Sequence, residues 1–169
     1  MRLCLLLLSF FIWPFFSRAQ DTLLVKMQAN RLAEATFKGD YNTVIDLTYP
    51  KLIELSGGRG ALQKLITEKM AGLKKQGIVE FNGSVGSPGK FFRAGDQLHC
   101  LIPEMIILKS VTGHYVAHSY LLGISSDNGK SWTFLDVGNM PDNVLHRLLP
   151  NFNKELIIPE SSKPEFIPD

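Results

Sequence analysis

The chain has 169 residues, a formal charge of +2, 45% apolar and 20% charged residues, and two cysteines. Without Arg2 and Arg18, which lie in a leader-like N-terminal stretch, the 16 acidic residues are balanced by as many basic ones and the chain is neutral. A neutral chain has no electrostatic footprint for nucleic acid or an anionic membrane, and with Cys4 also removed the lone Cys100 excludes an intramolecular disulfide.

The leader comes first. An early Arg2 precedes an apolar run from Leu3 to Phe16, which ends in the small-x-small pattern Ser17-Arg18-Ala19. This is the layout of a secretory signal peptide cut between Ala19 and Gln20. The competing reading is a membrane anchor, but the run is about 14 residues against the roughly 20 a span needs, and Pro14 interrupts it. The expected organisation is a leader over 1–19, a single domain over 20–150 and a Pro-rich tail over 151–169. The mature protein is then periplasmic or secreted, with no stable membrane insertion. A domain of this size buries roughly 70% of its unfolded surface and folds without staples.

Helical spacing follows. Leu23, Leu24, Met27, Leu32, Ala35 and Phe37 predict a helix over Thr22–Lys38, stopped by Gly39. Asp40 is placed to cap a short second helix with Tyr41, Val44, Ile45 and Leu47 inward. Pro50 opens a further turn through Leu55, and Gly57-Gly58 ends it. Arg59–Gln76 carries Leu62, Leu65, Ile66, Met70 and Leu73 at helical spacing and closes at Gly77.

Beyond Gly77 the period changes to two. Strands are expected over Ile78–Val85, Lys90–Arg93, Gln97–Lys109, Gly113–Ser126 and Ser131–Val137. Pro103 predicts an edge position or a bulge in the third of these. Asn128-Gly129 predicts a tight hairpin, because both residues accept positive φ. Asp142–Leu149 reads as a short helix, and the last residues are expected to fray. Helices followed by antiparallel strands make an α+β plan, with N-terminal helices packed on a curved sheet that forms an open half-cone.

Two segments carry a resemblance. One is Phe37-Lys38-Gly39-Asp40-Tyr41 with Val44-Ile45-Asp46-Leu47-Thr48-Tyr49-Pro50 and Gly57-Gly58. The other is Gly123-Ile124-Ser125-Ser126-Asp127-Asn128-Gly129-Lys130-Ser131-Trp132-Thr133-Phe134. In that order the chain resembles the nuclear transport factor 2-like (SnoaL-like, cystatin-like cone) superfamily over about residues 22–137. The resemblance implies the half-cone and a ligand or partner within it. The superfamily spans isomerases, dehydratases, cyclases and plain binding modules, so fold alone does not assign an activity.

The sharpest local motif is Ser125-x-Asp127-x-Gly129-x-Ser131-Trp132, which resembles the Asp-box hairpin of propeller blades. Its expected role is structural: Asp127 accepts turn amides, Gly129 supplies positive φ, and Trp132 folds back over the hairpin. Among the four histidines, His114 and His118 share a strand face but lie about 13 Å apart at about 3.3 Å per residue. A zinc site would need His99 or Glu104 from a neighbouring strand, and no metal or cofactor is expected. With Tyr120, His114 and His118 form a ligand pocket if their face lines the cone, and His118 is then a candidate base. If the face points outward they are surface residues. Asp136, in parity with Trp132 and Phe134, is the other catalytic candidate, because a buried carboxylate there needs a partner. Asp40 and Asp46 are better explained as a cap and a solvated face. Arg59 beside the glycines reads as a helix start, and Cys100 as inert core.

The leading expectation is an exported module that binds a small apolar ligand or a protein partner in its cone. The alternatives are a cofactor-free isomerase, dehydratase or cyclase and a structural module that homodimerises through its sheet.

Overall fold

The computed structural model describes residues 15–169, with side chains from Thr22 onward. Most of the expected leader therefore lies outside the described residues, and its end at Ala19-Gln20 falls in the first turns of α1 (Phe15–Lys38). Among the described residues, no helix is long and apolar enough to cross a membrane.

Local chemistry sets the helical layer. Gly39, at φ +74°, takes the chain out of α1. Asp40 then caps α2 (Tyr41–Leu47), accepting from Thr43 N at 3.2 Å and Thr43 Oγ1 at 2.7 Å. Pro50 opens α3 (Pro50–Leu55), where its missing N–H would have had no helical acceptor. α4 (Arg59–Lys75) is tied back to α2 by Arg59 Nη1, which donates to Asp46 Oδ1 at 2.8 Å.

The strands are β1 (Glu80–Val85), β2 (Phe92–Ala94), β3 (Gln97–Ser110), β4 (Gly113–Ser125) and β5 (Thr133–Asp136), followed by α5 (Asp142–Leu148) and β6 (Glu165–Pro168). The sheet runs β1-β3-β4-β5, with β2 beside β3 and β6 beside β4, and every strand pair is antiparallel. It curls around the helices as a half-barrel, the α+β half-cone that the chain order predicts.

β3 and β4 pair without interruption from Leu98↔Ser125 to Ser110↔Gly113, so Pro103 makes no bulge. It lies where β1 has just ended, at Val85↔Glu104, and its carbonyl accepts from Gly86 N at 2.7 Å. That is the edge position, where the proline's missing donor costs no ladder bond.

Two expectations are corrected. Asn128 and Gly129 do take positive φ, at 59° and 89°, but β4 and β5 pair only from Ile124↔Thr133 onward. Residues 126–132 therefore form a longer loop rather than a tight turn. The tail also does not fray: β6 pairs with Gly113–Val116, and Ser162 N donates to His118 O at 3.0 Å. The cause is a length mismatch. β4 has 13 residues and β5 only 4, so most of the β4 edge would be bare without the returning tail.

The register divides the sheet into two faces. The inner face holds Cys100, Ile102, Leu121 and Phe134, and α1 packs Val25, Ala29, Leu32 and Ala33 against it. The close approach needs Gly123, where a Cβ would stand 3.3 Å from Val25 Cγ2. The outer face buries Leu122, Ile124, Leu135 and Val137 beneath Leu145 and Leu148 of α5, together with Leu149 and Leu156. Each such side chain contributes about 1.5–3 kcal/mol relative to exposure. Both cores sit toward the β5 end of β4, so that end is closed on both faces.

Candidate functional site

Toward the other end the inner face carries Glu104, a carboxylate among apolar groups, with Asp136 at the neighbouring β5 corner. Val85, Glu104 and Ser119 lie side by side on β1, β3 and β4, and Gly83, Ile106 and Ala117 form the next row. Glu104, Ile106, Leu108 and Ala117 are half-buried, as are Phe37 of α1 and Phe81 of β1. Apolar residues at these alternate positions follow from the period-two pattern. Glu104 breaks it.

Among the described residues, Glu104 has no hydrogen-bond or salt-bridge partner. Burial, and secondarily the charge of Asp136, pushes its carboxyl up to about 7. Asp136, on β5 opposite Leu121, is differently placed. It is exposed, and its Oδ1 accepts from Ser119 Oγ at 3.3 Å and Gly138 N at 3.2 Å. Ser161 Oγ donates in turn to Ser119 Oγ at 3.4 Å, so the returning tail supplies a hydroxyl to this corner. A side chain at Gly138 would collide with both hydroxyls, which explains the glycine. One carboxylate is thus satisfied and the other is not. A carboxyl near 7 can hold or release a proton at neutral pH, which suits it to bind a donor group or to act as acid and base.

The histidine face lies elsewhere. His114, His118 and Tyr120 alternate with the inner-face residues of β4, so the register puts them on the outer face. His118 is exposed, and its backbone N donates to Ser162 Oγ at 2.8 Å. His114 Nδ1 lies 3.3 Å from Asp169 Oδ1, beside β6. Tyr120 packs on the outer core. Neither histidine shares a surface with Asp136.

The 125–132 segment is held by a ring of local hydrogen bonds. Asp127 Oδ1 accepts from Ser131 N at 2.9 Å and from Ser125 Oγ at 2.7 Å, and its Oδ2 accepts from Ser131 Oγ at 2.6 Å. The Ser131 hydroxyl and amide, with Ser125, hold the Asp127 carboxyl down to about 2. Gly129 N donates to Ser125 Oγ at 2.8 Å. Trp132 is 2% exposed and donates Nε1–H to Gly129 O at 3.1 Å, with its ring 5.5 Å from that of Phe91. Its backbone N donates to Gln28 Oε1 at 2.8 Å, which pins the loop to α1.

Cys100 is buried, and desolvation pushes its thiol up to about 12, so it is inert core. Among the described residues, no group of three or more His, Cys, Asp or Glu side chains is placed to hold a metal ion. In the sequence, Glu104 reads only as a conceivable metal partner. A lone charge in an otherwise apolar alternation was the available signal, and it has meaning only once the strand's inner face is known. No family model matches the chain, and neither does any curated protein or solved structure.

Proposed function

We propose that the inner face of the half-cone binds a small, predominantly apolar ligand through its half-buried apolar rows, and that Glu104 receives the ligand's one donor group, an amine or hydroxyl. The observation that carries this is the unpartnered Glu104 carboxyl between Val85 and Ser119. A half-buried carboxylate with no internal donor costs stability, and a ligand donor removes that cost. Small-molecule sites have this composition, apolar walls with few placed polar groups.

The nuclear transport factor 2-like plan is the frame of this reading, supported by the element order and the half-cone. Export is part of it, supported by the Leu3–Phe16 run and the Ser17-Arg18-Ala19 ending. Intact-mass measurement of the exported protein checks it: a species beginning at Gln20 is expected, and one retaining Met1 refutes it.

The test of binding uses a fluorescent dansyl alkylamine and the uncharged amide of the same chain length. The amine binds the parent protein more tightly, and Glu104→Gln removes that preference while the amide's affinity stays unchanged. Equal preference in parent and variant overturns the assignment.

A second reading, cofactor-free acid–base catalysis, is favoured by one observation, the Glu104 carboxyl poised near 7 beside Asp136. It requires deuterium exchange at an acidic C–H of an apolar ketone to depend on Glu104. Exchange that persists in Glu104→Gln excludes it.

A further inference from the structure

A second site lies on the outer face, toward the closed end of the sheet. There the α2–α3 link, the start of β3 and the 126–132 loop enclose a cleft of about 460 Å³, within the range of small-molecule sites. Its polar lining includes Tyr49, Lys51, Glu54, Gln97 and Ser126, with Ser131 and Thr133 at the loop end.

Gln97 organises this cleft. Its Nε2 donates to Tyr49 Oη at 3.3 Å and to Ser126 Oγ at 3.1 Å, which uses both amide protons. Its Oε1 accepts from His99 Nε2 at 3.2 Å, so His99 carries its proton on Nε2. His99 is 1% exposed, and its Nδ1 is buried without a partner. Burial drives its pKa down to about 4, so the ring is neutral and this tautomer persists at neutral pH. A buried nitrogen without a partner is a cost to the fold. Packing against Phe152, with ring centroids 5.8 Å apart, would be met as well by an apolar side chain. The polar contact that His99 does make is the one orienting the Gln97 amide.

Two consequences bear on the ligand. Tyr49 and Ser126 each accept from Gln97, and among the described residues neither hydroxyl donates elsewhere, so both O–H groups are available in the cleft. The two charges of the lining, Lys51 and Glu54, cancel, so nothing there selects a net charge. Pro50 and the Tyr49 ring add apolar surface beside these donors and acceptors. We infer that this cleft binds a neutral, polyhydroxylated ligand, a saccharide of one or two rings, whose hydroxyls exchange hydrogen bonds with Tyr49, Ser126 and the cleft rim while its C–H face lies on the apolar surface.

Amide NMR titration of the protein with glucose and maltose, with glucuronate as the charged counterpart, tests this. Saturating shifts with the neutral sugars at Tyr49, Gln97, Ser126 and Thr133 are expected, with glucuronate weaker. Gln97→Ala should weaken binding about tenfold, the equivalent of about 1.4 kcal/mol. Ser126→Ala, an exposed and milder change, should weaken it severalfold with a parent-like spectrum, so a folding defect in the first variant leaves the result readable. Absent or non-saturating shifts, shifts away from the cleft, preference for glucuronate, or undiminished affinity in Ser126→Ala each overturn the assignment.

Discussion

At the closed end of the sheet, both carboxylate oxygens of Asp127 meet donors from Ser125 and Ser131, and the Trp132 indole N–H reaches Gly129 O. Toward the open end, Glu104 sits half-buried between Val85 and Ser119 with no partner among the described residues. Both regions place acidic groups beside hydroxyls on one sheet, yet in one the hydrogen bonds close on themselves and in the other they do not. A satisfied network holds a loop in shape and leaves little for a ligand to gain. An unsatisfied carboxylate raises the free energy of the empty protein and leaves that amount for a ligand to recover. The Asp127 carboxylate and the Trp132 indole therefore act within the architecture, whereas unspent hydrogen-bonding capacity remains at Glu104 and, in the outer cleft, at the Ser126 hydroxyl.

The comparison breaks most readily at Trp132. Trp132→Ala should destabilise by about 3–5 kcal/mol, read as a lower urea midpoint, while dansyl-amine binding by the folded fraction is unchanged. Lost binding with an unmoved midpoint would make the loop functional after all.

His99 and Glu104 carry the contrast into pH dependence. His99 falls from 6.5 to about 4 in the folded protein, so the unfolded chain takes up that proton first. Its contribution is complete above pH 6.5 and lost as pH drops through 4, amounting to about 3 kcal/mol at 1.36 per unit. His99→Phe should abolish this acid loss in urea titrations between pH 7 and 4. A persisting loss of the same size would clear His99 of the role.

Asp127→Ala should cost about 2 kcal/mol near neutral pH through its stranded turn amides, again without affecting amine binding. An unshifted midpoint would refute the structural role of the carboxylate.

Glu104 gives the smallest effect, with the opposite sign. Its carboxyl rises from 4.5 to about 7, so the unfolded chain releases the proton first and stability is lost as pH climbs through 7. Because the group is only half-buried, Glu104→Gln should stabilise at pH 8 by about 1–2 kcal/mol, less than the full shift implies. It should have little effect at pH 4. Stabilisation equal at both values would show that packing, not charge, limits the site.

Much of this molecule is written locally. The stop at Gly39, the Asp40 cap and the Pro50 start place three helix boundaries to the residue, because each depends on groups within one turn. The alternation after Gly77 marks the strands, and the Ser125–Trp132 pattern carries its own hydrogen bonds. The candidate site is less legible. His118 and Asp136 stand out as residue types, but type does not say which face of a curled sheet a side chain joins. Gln97, polar among strand residues, gave no sign of bridging Tyr49 and His99, which lie on separate elements.

The helices, the Gly39 and Asp40 boundaries, the approximate positions of β1 to β5 and the hydrogen bonds around Asp127 are legible in the sequence, since these rest on interactions between residues a few positions apart. Only the tertiary structure decided that Glu104 faces inward without a donor, that His114 and His118 face out, that His99 is buried beneath Phe152, and that the tail returns as β6 along the bare edge of β4. Those outcomes depend on the register of the long β3–β4 pair and on where β5 stops. A one-residue change in register would exchange every inner side chain for an outer one.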